Sequence, residues 1–284
     1  MSGFDILGDV HGHYEQLLRL LAKLGYRRSN SSRPFVHPDG RTVAFVGDLI
    51  NKGPASSEVL EIVRSMTDGG SALAVLGNHE FNLLASSYAG NETSLYMHTE
   101  HLDWFRSLPF SLDIGCMRVV HAAWHPSSLK TIDRRTCADE AFFRKATSKG
   151  SPEHQAVQTV LKGIKITIPR NQVYLDRFEI PRERGRIRWW LEPQGLTYAD
   201  LLFPSYEGAC PESRPSEEDL RIVEPYSIDA PPVFIGHYCL PMSEPKIHGN
   251  VACLDGCVTC DGVLWAYRQN GDRILDPANL VQSS

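Results

Sequence analysis

The feature that most restricts what this chain can fold into is a recurrence: short apolar, strand-like runs break off into tight clusters of glycine and polar residues. These are Gly8-Asp9-Val10-His11-Gly12, Gly47-Asp48, Gly77-Asn78-His79-Glu80 and Gly236-His237, with a further cluster at Val119-Val120-His121-Ala122. Where strands alternate with helices, ligand sites collect just beyond the carboxyl ends of the strands. Glycines there let the backbone turn sharply and approach a ligand closely. Any one Asp or His after a strand is more often a turn residue or helix cap. Asp9 and Asn78 suit caps of the helices that follow, and His121 suits a satisfied core histidine. The joint pattern is better explained as one site assembled from distant segments.

The spacing of apolar residues supports that geometry. Ile6-Leu7 ends a strand, and Tyr14, Leu17, Leu18, Leu21 and Leu24 then recur at helical spacing. Residues 42–46 read as a strand, Val59, Leu60, Ile62 and Val63 as a helix, 73–76 as a strand and 81–84 as a helix. This βαβαβα order implies a partly parallel sheet with helices on its faces. Residues 29–40 are polar and contain proline, as a surface loop does. Later runs at 117–120, 233–235, 251–254 and 262–267 predict a second sheet packed on the first. Residues 130–232 show no clear repeat, only a helix expected around 138–147 and a Pro/Glu/Ser-rich loop at 207–225. Their length exceeds ordinary loops, so they should carry structure or a functional cap. The expected fold class is α/β, a single domain over 1–284 with 130–232 as a long insertion or cap.

Composition excludes several classes. The formal net charge of -5 argues against a general nucleic-acid surface, which needs a basic face. A local basic pocket for a small phosphorylated ligand stays open. No apolar run approaches the ~20 residues of a membrane span, and Met-Ser-Gly leads directly into an apolar strand, without a leader. Seven cysteines without a regular framework fit a reducing compartment. A soluble cytoplasmic protein is expected, with no membrane partner and no information on oligomeric state.

The donor types define the chemistry. Asp9, His11, Asp48, Asn78, His121 and His237 offer oxygen and imidazole nitrogen, a set suited to a divalent ion such as manganese, iron or zinc. Two ions a few ångströms apart need a shared carboxylate to offset their repulsion. Asp48 would be that bridge, Asp9 and His11 would complete one ion's shell, and Asn78, His121 and His237 the other's. Open positions would take water, acidified toward hydroxide.

With these residues on the page, the sequence resembles the calcineurin-like metallophosphoesterases, and within them the phosphoprotein phosphatase branch that includes bacterial symmetrical diadenosine tetraphosphatases. The family pattern GDxHG, GDxxDRG, GNHE, an HAG-like segment and a late GH stands here as Gly8–Gly12, Gly47–Gly53, Gly77–Glu80, His121-Ala122-Ala123-Trp124 and Gly236-His237. The segment 104–109 and the run 252–257, ending near Trp265, also look like the tetraphosphatase branch. The resemblance implies a two-sheet αββα sandwich and two divalent metal ions, manganese first, with iron, zinc, cobalt or nickel as alternatives. It also implies in-line attack of an activated water on phosphorus, with His79 as general acid to the leaving oxygen.

Two positions depart from the family pattern: its aspartate is Asn51 and its arginine is Lys52. Asn51 can accept a hydrogen bond from the His79 ring but brings no charge, so the His79 pKa should fall. That matters least for phosphoanhydrides, whose leaving group needs little protonation. Lys52 keeps a positive charge for the phosphate without arginine's bidentate fork; a solvated loop lysine is the alternative. The substrate would be a small phosphorylated molecule of the dinucleoside polyphosphate kind. The alternatives are a phosphoprotein, making this a Ser/Thr or Tyr phosphatase, and a catalytically silent scaffold that keeps the fold.

Several features stay open. Arg182, Arg184, Arg186 and Arg188 precede Trp189-Trp190, a pattern that suits phosphate clamping and base stacking or, slightly better, an exposed strand with core tryptophans. Cys253, Cys257 and Cys260 lack the second pair of a zinc knot and read as buried strand cysteines. Cys239 stands where many relatives carry a second metal-binding histidine, and a thiolate ligand there is the weaker reading.

Overall fold

Alternation along the strands decides how the layers stack. The computed structural model describes residues 3–30, 32–90, 99–169, 174–175, 180–204 and 212–284. The chain opens with β1 (Phe4–Leu7), α1 (Tyr14–Leu24), β2 (Thr42–Phe45), α2 (Ser56–Asp68), β3 (Ala72–Ala74) and α3 (Asn78–Tyr88). It continues with α4 (Thr99–Ser107), β4 (Ser111–Asp113), β5 (Arg118–Val120), α5 (Pro126–Ile132), α6 (Glu140–Thr147) and α7 (Pro152–Lys162). Next come β6 (Lys165–Thr167), β7 (Arg184–Arg186), α8 (Tyr198–Leu201) and α9 (Glu217–Leu220). The remainder is β8 (Val233–Ile235), β9 (Ile247–His248), β10 (Val251–Cys253), α10 (Val258–Asp261), β11 (Trp265–Gln269) and β12 (Leu280–Gln282).

One sheet has the order β12-β11-β1-β2-β3, the other β4-β5-β8-β10-β9. In the first, β1, β2 and β3 run parallel; in the second, β5, β8 and β10 do. Successive side chains on a strand face opposite ways. Ile6, Ala44, Val119, Phe234 and Ala252 therefore form one buried cluster, between the sheets, while their neighbours Leu7, Phe45, Val120 and Ile235 join the larger cluster with the helices. Every one of these is fully buried, and each large side chain contributes about 1.5–3 kcal/mol on leaving water. This is the expected two-sheet αββα sandwich. α1 shows the helical half of the logic: Leu17, Leu20, Leu21 and Leu24 are its buried stripe, and Gly25, at φ 94°, ends it.

The section 130–232 does carry structure. Phe142 and Phe143 of α6 make edge-on ring contacts with Phe110 and Phe81, so its first part joins the main core. β6 and β7 form a separate two-stranded ribbon. The helix expected at 138–147 starts at Glu140 because Asp139 caps it, accepting from the Phe142 N–H. The strand expected from Gly262 begins at Trp265, since Gly262 sits at φ 72° and closes α10. The loop expected at 207–225 contains a helical turn, α9, set by a capping box between Ser216 and Asp219; its residues 207–211 lie outside the described residues. Among the described residues no helix is long and apolar enough to cross a membrane.

Candidate metal centre

The parallel strands of both sheets point their carboxyl ends at one place. Asp9 follows β1, Asp48 follows β2, Asn78 follows β3, His121 follows β5 and His237 follows β8. The sequence clusters thus converge, and the glycines between strand and donor are required by contact. A Cβ at Gly236 would lie 1.9 Å from Asp9 Oδ1, and one at Gly77 would lie 2.1 Å from the Asp48 nitrogen. His11, Asp48 and His237 themselves occupy left-handed backbone, at φ 46°, 50° and 69°, a conformation that costs about 1–3 kcal/mol per residue and persists only where the surroundings impose it.

Glu80 is what imposes it on the Asp48 loop. Its fully buried carboxylate accepts from the N–H groups of Asp48 (3.0 Å), Leu49 (2.8 Å), Ile50 (3.2 Å) and Gly77 (3.1 Å). Burial, and then repulsion from Asp48, pushes its pKa up to about 7. The sequence places Glu80 in the Gly77–Glu80 cluster but assigns it no role.

The histidines are aimed by the backbone. His11 Nδ1–H donates to the Ile50 carbonyl at 3.1 Å, which turns Nε2 inward, 3.8 Å from Asp9 Oδ2 and 3.7 Å from Asp48 Oδ2. His121 Nδ1–H donates to the Val46 carbonyl at 2.8 Å, leaving Nε2 3.4 Å from Asp48 Oδ1 and 3.1 Å from Asn78 Oδ1. One nitrogen on a carbonyl and the other facing a carboxylate is the arrangement of metal-binding imidazoles. Burial, then the positive charge of Arg186, holds His237 well below its ordinary pKa, so it is neutral.

Two donor groups emerge: His11, Asp48 and His79, and Asp48, His121 and His237, each with ligand atoms within 4.8 Å of one another. Asp48 belongs to both. Burial alone would raise its pKa, but attraction to His121, His79 and His11 wins and holds it well below the carboxylate range. Asp9 goes the other way. Burial, then repulsion from Asp255 and Asp48, raises its pKa well above the usual value. Asp9, Asp48 and Asp255 crowd their carboxylates around imidazoles of which His11, His79 and His237 have lowered pKa values, a donor set that divalent cations fit. These residues could hold a metal.

His79 contributes its backbone N–H to Asp48 Oδ1 at 2.9 Å, and its Nε2 lies 3.9 Å from Asp48 Oδ2. Its partnership with Asn51 corrects the sequence reading. The Asn51 amide nitrogen faces His79 Nδ1 at 2.9 Å, so the amide donates to the ring instead of accepting from it. An amide has no charge with which to hold a ring proton, so the neutral ring takes the acceptor role at Nδ1. Burial, reinforced by His11 and Lys52 against the attraction of Asp48, pulls the His79 pKa down to about 4. Lys52 is exposed, yet its ammonium reaches into the site and donates to His11 Nε2 at 2.9 Å.

A cavity of about 450 Å3 opens over these residues, lined also by Arg186, Phe203, Pro204, Cys239 and Asp255. Asp255 went unassigned in the sequence, although it too follows a strand, β10, and precedes a glycine. It gathers the N–H groups of Cys239 (2.6 Å) and Cys257 (2.9 Å). That brings the two cysteines together as a disulfide, against the expectation of free thiols, and Cys239 offers no thiolate to a metal. Cys253 is a buried strand cysteine as expected; Cys257 and Cys260 are not, lying at and in α10 with Cys260 exposed.

The basic segment divides. Arg186 joins the site, its Nη1 donating to the His237 carbonyl at 3.3 Å and its guanidinium 4.5 Å from the Tyr238 ring centre. Arg188 is structural, donating to the Leu202 carbonyl at 2.6 Å and pairing with Glu244 at 3.3 Å. The tryptophans are not a stacking platform. Trp189 is buried with Nε1–H on the Ala122 carbonyl, and Trp190 packs on Tyr238 and stacks on His248.

Similarity to known proteins agrees with this geometry. The calcineurin-like phosphoesterase profile matches residues 4–241. A bis(5'-nucleosyl)-tetraphosphatase PrpE, asymmetrical type, from Halalkalibacterium halodurans is 51% identical over 76 residues, 27% of this chain and 30% of that protein. One of the same name from Geobacillus sp. is 41% identical over 106 residues, 37% of this chain and 42% of that protein. A symmetrical bis(5'-nucleosyl)-tetraphosphatase from Aromatoleum aromaticum is 33% identical over 131 residues, 42% and 44% of the two chains. The chain therefore spans less than half the length of these relatives. A crystal structure provisionally assigned as a diadenosine tetraphosphatase superposes with a TM-score of 0.51 at 19% identity, covering 99% of this chain and 92% of that one, a likeness of fold.

Proposed function

The chain belongs to the calcineurin-like phosphoesterase family, and from that premise we propose that it is a dinuclear-metal phosphohydrolase acting on phosphoanhydrides, of the dinucleoside tetraphosphate kind. The observation that carries the proposal is the membership of Asp48 in both donor groups. Asp9 and His11 would hold one ion, Asn78, His121 and His237 the other, and Asp48 would be shared between them. Manganese is the ion we expect, in a cytoplasmic setting. When bound, the ions supply an acidified water and neutralise phosphoryl charge.

The chain's own groups do the rest. Glu80 fixes the Asp48 loop before any ligand arrives, so no reorganisation is left for the reaction. Lys52, from the loop after β2, and Arg186, from β7, both line the cavity and set a phosphate there. His79, neutral and receiving a hydrogen bond from Asn51, turns Nε2–H toward the Asp48 side, where it can donate to a leaving oxygen. With a pKa near 4 it holds little reserve of acid at neutral pH. Alkoxide leaving groups need that acid; nucleotide phosphates do not. Residues 130–232 belong to the same single unit over 1–284 and serve as its substrate cap, since Arg186 and Phe203 reach the cavity from that section.

The test is hydrolysis of diadenosine tetraphosphate, an aryl phosphate and a phosphopeptide by the full chain, each with and without Mn2+. Metal-dependent turnover with the anhydride ahead of the phosphopeptide is expected. A phosphopeptide ahead of both would make the chain a protein phosphatase, and no turnover of any would make it a scaffold.

A further inference from the structure

Beside the metal centre lies a second cavity, of about 360 Å3, lined by Lys162, Lys165, Arg182, Arg184 and Arg186 and sharing Arg186, Phe203, Pro204 and His237 with the first. Among the described residues no carboxylate lines it. We propose that this cavity is a subsite for the distal phosphates of a polyphosphate chain whose first phosphate sits at the metal centre. The inference rests on the phosphohydrolase reading of the neighbouring site.

The ribbon that carries these cations is built against its own stability. β6 and β7 pair Lys165 directly opposite Arg186 and Thr167 opposite Arg184. Like charges directly opposite on one sheet face repel. The other face of the ribbon is conventional: Ile166 is buried, and Gly185 is pressed so close to Leu202 that a Cβ would lie 2.3 Å from its Cδ2. Register is thus set by the buried face, and the cations are left crowded on the open one. The Lys165 pKa is lowered by burial and then by the charges of Arg186, Lys162, Arg184 and Arg182. Arg186 adds a buried Nε–H with no acceptor among the described residues. A dense anion relieves all of this at once.

Position decides which anion. Lys162 donates to Asn82 Oδ1 at 3.4 Å, and Asn82 lies three residues after His79 on α3, on the same helix face. The cationic cavity meets the metal centre at His237 and Arg186, and through Lys162 it reaches the helix that carries His79, so a chain continuing from the leaving phosphate would enter it. An acidic peptide is the poorer occupant. Its side chains face one way only every second residue, about 7 Å apart, whereas phosphates joined through single oxygens bring charge at every step.

The experiment is calorimetric titration of the full chain with inorganic tripolyphosphate and with orthophosphate, once with Mn2+ in excess over the polyphosphate and once in chelator. Adenosine tetraphosphate in a parallel titration separates a bare chain from a nucleoside-tipped one. Tripolyphosphate should bind at least about tenfold more tightly than orthophosphate in both conditions, and the preference should shrink with salt. Lys165→Gln, which leaves the Arg184 bond to the Lys165 carbonyl in place, and the double variant with Arg184→Gln should each erode the preference, the double variant more. Equal binding of the two anions, an unchanged preference in the double variant, or tighter binding of an acidic phosphopeptide would overturn the subsite. If anhydride and aryl phosphate are both hydrolysed yet the preference is absent, the subsite alone fails. If neither is hydrolysed, the phosphohydrolase reading fails first.

Discussion

The loop at the end of β2 and the ribbon of β6 and β7 meet at the cavity over the metal centre yet are built by opposite rules. The loop is buried, held in left-handed backbone, and has its N–H groups gathered by Glu80. The ribbon is exposed, held by a short ladder, and sets like charges side by side. Chemistry that tolerates no misplacement sits on the first. Recognition of a flexible anion, as proposed, would sit on the second, where loose side chains are no handicap. The comparison separates the part of the molecule that reacts from the part that selects.

The largest effect should come from the loop. Asp48→Asn should lower turnover of every substrate by roughly a thousandfold or more and, in the same protein, reduce the number of ions bound, read by metal analysis after gel filtration; full metal content with lost activity would place Asp48 outside the ligand set. Next is stability. Glu80→Ala leaves four buried N–H groups without their acceptor, and unfolding in denaturant should show a loss of about 3–5 kcal/mol. Arg184→Ala on the ribbon should stay within about 0.5 kcal/mol. Comparable losses would erase the distinction between the two regions.

A third prediction concerns protons. The pKa of Asp9 is raised, and so is that of His121, where attraction to Asp48 outweighs burial. Both groups hold protons more tightly than usual and must give them up to a cation. Metal affinity should therefore fall as pH drops, by up to about tenfold per unit for each proton displaced. Titrations in buffers of different ionisation enthalpy would count the protons, and none released would contradict the ligand assignment. The smallest effect is at Asn51. Asn51→Asp places a carboxylate on His79, favours its protonated form and should extend alkyl phosphate hydrolysis to higher pH by about a few-fold in rate. An unaltered pH profile would show that the amide is not what limits the acid.

Legibility in the sequence follows the same divide. Asp9, Asp48, Asn78, His121 and His237 could be read because strand, glycine and donor are adjacent in the chain, so a local pattern records a long-range site. The αββα layering could be read because alternation is local too. Glu80 could not, because its task is to hold a loop 30 residues away. Nor could Arg186 be told from Arg188, two positions on: both lie over Phe203, and what separates them is Tyr238 and the His237 carbonyl beside one and Glu244 beside the other. Trp189 is the core tryptophan of the slightly better reading, but nothing in its vicinity in the sequence announces the Ala122 carbonyl that receives its indole.

The donors come from two sheets, Asp9, His11, Asp48 and Asn78 from one and His121 and His237 from the other. Any cation between them acts as a rivet across the sandwich, because the unfolded chain keeps no such grip. Occupancy and folding would then be one equilibrium: at a hundred times its dissociation constant, one such ion would add about 2.7 kcal/mol to the native state, and its loss would loosen the joint between the two sheets.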